Sequence, residues 1–186
     1  MNDSLRLVVV LTAVCLISAL LVAVANEITR EPIQKAKERQ NREAILAVQP
    51  EGASAPVSND VQVAGVSPDG GATVYYATDK GYAFKMVAPN GYAGPIELML
   101  GFTKDGRFWS YRVLSDSETP GLGSHIKDSF LDHVKERSVT GTNWKTTKDG
   151  GDIVPITAAT ISSRAVCDAI ARGARVYDAI QQQEGR

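Results

Sequence analysis

The chain has 186 residues, of which 44% are hydrophobic and 22% are charged, proportions close to those of ordinary globular proteins. This length allows one domain with an appendage. The formal net charge is -1 and no cluster of lysine and arginine is evident, which argues against a nucleic-acid partner.

An uncharged segment near the start of the chain is long enough to cross a bilayer. Residues 7–25 carry no charged side chain, and at ~1.5 Å per residue a helix of this length nearly spans the ~30 Å hydrocarbon core of a membrane. A cleaved signal peptide is the competing interpretation, because Ala-Val-Ala at residues 23–25 resembles a cleavage site. The apolar run is longer than the ~7–15 residues of a typical signal peptide. We therefore predict a transmembrane anchor over residues 1–26.

Residues 27–60 are expected to form a stalk helix and a linker. Residues 26–48 combine many charges with few apolar positions, so we expect a stalk or surface helix, with only Pro32 against it. Residues 49–60 are rich in proline, alanine and serine, which is typical of a linker.

The remainder, residues 61–186, is predicted to be one domain of the α+β class. Apolar runs separated by glycine turns indicate strands over residues 61–66, 73–78, 82–87, 96–103 and 107–114, and Asp105-Gly106 is a strong hairpin signal. We expect a largely antiparallel sheet packed with helices. One short amphipathic helix is predicted over residues 126–137, with Phe130, Leu131 and Val134 facing inward.

Four hydroxyl side chains lie at the start of the last predicted helix. Apolar residues at spacings of three and four, from Val166 to Ile180, predict one buried stripe on this helix. Hydroxyls are good N-cap acceptors, and the free N–H groups of a first helical turn can also hold an anion. The hydroxyl residues are Thr157, Thr160, Ser162 and Ser163.

Three motifs occur in order within the predicted domain. Residues 91–96 read Gly-Tyr-Ala-Gly-Pro-Ile, residues 118–123 read Glu-Thr-Pro-Gly-Leu-Gly, and residues 157–162 read Thr-Ala-Ala-Thr-Ile-Ser. Together they resemble the covalent FMN-binding domains of Rnf-type and Nqr-type respiratory complexes, and the second motif matches that family without a change. The short chain favours the G subunits of Rnf-type complexes over the C subunits of Nqr-type complexes, which are the alternative.

The resemblance implies a covalent FMN. In that family the last threonine of the third motif, which is Thr160 here, carries FMN through a phosphoester bond. Arg164 would pair with the phosphodiester, although an arginine that faces solvent is equally ordinary. The other residues that the resemblance places around the flavin are Thr157, Ala159, Ile161, Ser162, Glu118, Thr119, Leu122 and Gly123.

One residue of the third motif departs from the family pattern. Ala158 stands where the family usually has glycine. If this position needs a positive φ, alanine would cost roughly 1–2 kcal/mol.

The resemblance also implies a function. A membrane-anchored flavoprotein would relay electrons in a complex that couples ferredoxin and NAD to ion movement across the cell inner membrane. Its partners would be the other membrane subunits and a separate flavin transferase, and we expect no catalytic residue and no metal site. An extracytoplasmic binding or sensory module without a redox role remains the alternative. A stand-alone flavin reductase is weaker, because no Gly-x-Gly-x-x-Gly follows any predicted strand.

The two indications of orientation disagree. Basic residues are more frequent after the apolar segment than before it, so the positive-inside rule would place the domain in the cytoplasm. That rule loses force when a long segment follows. The resemblance implies the extracytoplasmic, periplasmic side, and we follow it.

Overall fold

The computed structural model of the protein describes residues 3–63 and 72–185. Contacts divide the chain into two compact units, Met1–Gln40 and Asn41–Arg186. The first contains most of one long helix, and the second contains a sheet that packs against a second long helix.

Helix α1 runs over Asp3–Ala47 and includes Pro32. Residues 5–40 are exposed along its whole circumference, and its most apolar 18-residue window has a mean hydropathy of 3.1. By length and composition this helix can cross a membrane. The helix predicted separately over residues 26–48 is its direct continuation.

Six antiparallel strands form one sheet, in which each strand pairs with the next along the chain. The strands are β1 (Val57–Val61), β2 (Thr73–Ala77), β3 (Gly81–Ala88), β4 (Ile96–Thr103), β5 (Arg107–Ser115) and β6 (Arg137–Ser138). The predicted α+β class is thereby confirmed. The first strand begins at Val57 instead of Val61, and residues 64–66 of the predicted strand lie outside the described residues.

One face of the sheet packs against a long helix at the C-terminal end of the chain, here α3 (Thr160–Glu184). The predicted stripe is confirmed, because Val166, Ile170 and Ile180 are all completely buried. Gly173 allows the close approach, since a Cβ there would lie 2.7 Å from Cδ1 of Leu100 in β4. Large side chains of the sheet therefore reach the helix backbone.

The opposite face of the sheet packs against the last turn of α1. Side chains alternate between the two faces of a strand, so Met99 in β4 points away from α3 and contacts Ile45 and Val48. A Cβ on Gly101 would lie 1.9 Å from the carbonyl oxygen of Val48. The prediction that residues 26–48 contribute nothing to a core is therefore wrong at their C-terminal end.

The helix predicted over residues 126–137 is wrong in extent. A 3-10 helix over Gly123–Lys127 and the short α2 (Leu131–Val134) stand in its place. The chain leaves the helical path because the Glu136 N–H donates to the carbonyl of Phe108 and β6 adds to the edge of β5. Phe130 and Val134 are buried as predicted, whereas Leu131 is half-buried.

Candidate functional site

A buried carboxylate joins the three sequence motifs. Glu118 is only 6% exposed. Its Oε2 accepts a hydrogen bond from the Ser162 hydroxyl at 2.6 Å, and its Oε1 accepts one from the Ala93 N–H at 3.3 Å. Motifs that are far apart in the sequence therefore meet at one side chain.

Two motif glycines leave room for this carboxylate. A Cβ on Gly123 would lie 2.2 Å from Oε2 of Glu118, and a Cβ on Gly91 would lie 2.9 Å from Oε1. Contacts this short cannot exist between real atoms, so any side chain at Gly123 would displace the carboxylate. Close approach thus explains Gly91 and Gly123, whereas Gly94 and Gly121 adopt the positive φ values that glycine tolerates.

The start of α3 differs from the predicted hydroxyl cap. Its N-cap is Ala159, and no side chain caps the helix. Thr157 lies before the cap, and the other three hydroxyls lie inside the first turn. Ser163 Oγ donates to the Ala159 carbonyl and accepts from the Ile156 N–H, both at 3.0 Å. The first N–H groups of α3 thus receive no side-chain acceptor, which leaves the helix terminus attractive to an anion.

Ala158 adopts the positive φ that its place in the third motif suggested, with a value of 63°. An L-residue with a Cβ is strained in this left-handed region by roughly 1–2 kcal/mol, whereas glycine is not. The chain therefore carries local strain directly before the helix that bears Thr160.

Ala158→Gly is expected to stabilise the protein by about 0.5–1 kcal/mol, because relief of the strain outweighs the extra entropy of glycine in the unfolded chain. Thermal unfolding followed by near-UV circular dichroism would measure the gain. Ala159→Gly is the matched control: Ala159 has an ordinary φ of -131°, so this change should give no gain. Equal effects of the two substitutions would contradict the assignment of strain to Ala158.

A cleft of about 450 Å³ opens beside the start of α3. Its lining contains every residue that was placed around the flavin except Thr157 and Arg164, which are exposed but not part of the lining. Tyr92 and Lys148 also line it and were not predicted as site residues from the sequence. The lining residues are Tyr92, Glu118, Thr119, Leu122, Gly123, Lys148, Ala158, Ala159, Thr160, Ile161 and Ser162.

The cleft combines an apolar rim with a polar base. Tyr92, Leu122 and Ile161 are exposed large side chains at its opening. The buried polar groups of the lining are Glu118 and Ser162, and the exposed Lys148 donates from its Nζ to the Thr160 hydroxyl at 3.0 Å. Such a cleft can receive a ligand that has both a flat apolar part and an anionic part.

Arg164 is engaged elsewhere. Its Nε and its terminal nitrogen each donate to one oxygen of Asp149 at 2.7 Å, which is a bidentate ion pair. These bonds, together with one from the Thr146 hydroxyl, lower the pKa of Asp149 to about 2, so its carboxylate is ionised at neutral pH. In the structure the Arg164 side chain anchors the loop that carries Lys148 and does not line the cleft, and its pairing with a phosphodiester stays a prediction.

Comparison with known proteins agrees with this arrangement. Residues 91–175 match the model of the FMN-binding domain, a range that contains all three motifs and most of α3. Residues 91–175 thus belong to an FMN-binding domain.

Relatives of the whole chain extend this result. The G subunit of the ion-translocating oxidoreductase complex of Cereibacter sphaeroides is 33% identical over 88% of this chain and 79% of its own length. The G subunit from Pseudomonas aeruginosa is 30% identical over 98% and 92%, and the one from Vibrio cholerae is 31% identical over 94% and 90%. The chain belongs to the family of G subunits of ion-translocating oxidoreductase complexes.

The residues around the cleft fit FMN. A volume of about 450 Å³ lies within the ~300–1,000 Å³ of small-molecule sites. The exposed Tyr92 and Leu122 offer apolar surface for a ring system, and Lys148 together with the uncapped end of α3 offers positive charge for a phosphate.

Proposed function

We propose that the protein is a membrane-anchored flavoprotein subunit that carries electrons through an FMN bound covalently to Thr160. It acts within an Rnf-type complex that couples electron transfer between ferredoxin and NAD to ion translocation. The observation that carries this proposal is the position of Thr160, whose hydroxyl lies in the cleft where the three motifs meet. Family membership and the FMN-binding domain support the electron-transfer role.

On the extracytoplasmic side there is a physical reason to bind the flavin covalently. A noncovalent cofactor is retained only while its free concentration exceeds its dissociation constant, and a flavin lost outside the cytoplasm would not be replaced by mass action. An ester to Thr160 removes this loss. The FMN supplies electron transfer when bound, and the protein groups around it orient it and set its potential.

The chain's own residues have separable tasks in this proposal. Glu118 holds the start of α3 against the loop of residues 118–123 through Ser162. Thr119 and Leu122 line the cleft together with Thr160 and offer contacts to the flavin. The core side chains of α3 fix the helix to the sheet, so Thr160 is presented by a rigid element.

The proposal includes a location and partners. Helix α1 is the membrane anchor, the FMN-binding domain lies on the periplasmic side of the cell inner membrane, and the other membrane subunits exchange electrons with it. A separate flavin transferase attaches the FMN. The length and hydropathy of α1 support the anchor, and the names of the relatives support the complex.

Thr160→Val should abolish covalent flavin, because valine keeps the branched shape of threonine and removes the oxygen that forms the ester. The intact mass of denatured protein from the native host, with peptide mapping of residues 152–164, would measure the added FMN. Thr147→Val is the matched control: Thr147 is an exposed threonine that does not line the cleft, and this variant should keep the full mass. A Thr160→Val protein that still carried FMN would refute the attachment site, and an unmodified wild-type protein would favour a binding or sensory module.

A further inference from the structure

Lys148 occupies an unusual place in the cleft. Among the described residues that line it, Lys148 is the one lysine or arginine, and its Nζ donates to Thr160 Oγ1 at 3.0 Å. Lysine side chains are flexible and strongly hydrated, so a lysine directed at a single hydroxyl calls for a structural cause.

The cause is the loop that carries Lys148. Residues 147–149 form a 3-10 helix, and the Thr147 N–H donates to the Ile153 carbonyl at 2.8 Å, which closes the loop on itself. Asp149 fixes the loop to α3 through its bidentate pair with Arg164, one helical turn after Thr160. Lys148 is therefore held between two anchored neighbours and faces the start of α3.

The charge of Lys148 has no acidic partner. Within residues 3–63 and 72–185, no carboxylate lies within ion-pair distance of its ammonium, whereas Arg164 is neutralised by Asp149. The carboxylate of the cleft, Glu118, accepts its hydrogen bonds from Ser162 and Ala93. A positive charge thus stands beside Thr160 without a negative charge to balance it.

We infer that Lys148 recognises the phosphate of the flavin and positions it at Thr160. This inference rests on the proposed function, since it takes FMN as the occupant of the cleft. After attachment the phosphodiester would keep about one negative charge, and the Lys148 ammonium beside Thr160 Oγ1 would attract it. The first N–H groups of α3 would attract the same anion. Lys148 is the positioning residue, and it makes the site select a phosphorylated flavin over one without phosphate.

Noncovalent binding to unmodified protein separates this role from attachment. The full-length protein would be produced in detergent from cells without the flavin transferase, and titrated with FMN and with riboflavin, which lacks only the phosphate. Lys148→Gln should weaken FMN binding about fivefold at low salt, the size of one partly exposed charge contact, and leave riboflavin binding unchanged. Lys148→Arg should restore most of the FMN affinity because it keeps the charge.

Two controls make the result specific. Lys145→Gln removes an exposed lysine of the same loop that does not line the cleft, and it should not alter either affinity. The preference of the wild-type protein for FMN should shrink toward that of Lys148→Gln as the salt concentration rises, because salt screens exposed charges.

Three outcomes would overturn the inference. The first is that the wild-type protein binds FMN and riboflavin with equal affinity, or binds neither. The second is an equal loss of affinity for both ligands in Lys148→Gln. The third is a loss of FMN affinity in Lys145→Gln as large as that in Lys148→Gln. Failure of the proposed function would appear separately, as an unmodified Thr160 in protein from the native host.

Discussion

Replacing Glu118 by alanine is expected to lower the stability of the FMN-binding domain by about 2–4 kcal/mol and to reduce flavin attachment at least tenfold. The stability loss arises because the buried Ser162 hydroxyl would lose its acceptor, at ~1–3 kcal/mol for an orphaned buried donor. The hydrogen bond from the N–H of the exposed Ala93 would also be lost, at about 0.5–1.5 kcal/mol net. Attachment falls because the start of α3 would no longer be fixed to the loop of residues 118–123.

Glu118→Gln is the matched control for this prediction. Glutamine keeps the shape of the side chain, its Oε1 can still accept from the Ala93 N–H, and the Ser162 hydroxyl can reverse its role and accept from the new NH₂ group. The cost should therefore stay near 1 kcal/mol, and attachment should be largely kept. Thermal unfolding and intact mass would measure both quantities; equal behaviour of the two variants would show that the carboxyl group does not join the motifs.

Replacing Phe102 by alanine is expected to cost about 3–5 kcal/mol, because a completely buried aromatic side chain would be removed from the centre of the core. Its ring stacks on Phe84 with 5.2 Å between centroids and on Tyr177 of α3 at 5.7 Å, and it meets Phe108 edge-on at 5.3 Å. Chemical denaturation of the full-length protein in detergent would give the loss, and Phe102→Leu, which leaves a smaller void, should lose clearly less.

The two substitutions should differ in their effect on flavin. Phe102 does not line the cleft, so the Phe102→Ala protein that remains folded at low temperature should accept FMN normally. It therefore serves as a control for Glu118→Ala with matched or greater destabilisation. If both variants lost flavin to the same degree, general stability and not the geometry at Glu118 would govern attachment.

The parts of the fold that were predicted correctly are those that local sequence patterns determine. The strands from Thr73 to Ser115 and the buried stripe of α3 follow from short-range alternation, glycine turns and three-to-four spacing, and the structure confirms them closely. The errors occur where contacts between residues far apart in the sequence determine the local structure. The last turn of α1 is buried only because Gly101 lies beneath Val48, and the helix predicted from residue 126 yields to pairing with the edge of β5.

The site was predicted where a local sequence signal exists. The three motifs identified the residues around Glu118 and Thr160, and alanine at residue 158, where the family usually has glycine, correctly indicated a strained position. Lys148 carried no comparable signal, since it lies in a loop without periodicity and reaches Thr160 only through the Asp149–Arg164 pair. The Arg164 side chain looked free in the sequence because its partner is fifteen residues away.

The burial of the hydroxyl cluster has a consequence for chemical selectivity. Ser162 and Ser163 are 1% and 0% exposed, and each hydroxyl is already committed to a hydrogen bond. Any enzyme or reagent that arrives from solvent can therefore reach only Thr157 and Thr160 among the four. Of these two, Thr160 alone opens into the cleft. Burial in the fold thus removes Ser162 and Ser163 as nucleophiles, and position in the cleft distinguishes Thr160 from the exposed Thr157, so that the modifying enzyme need not tell the four hydroxyls apart by their sequence context.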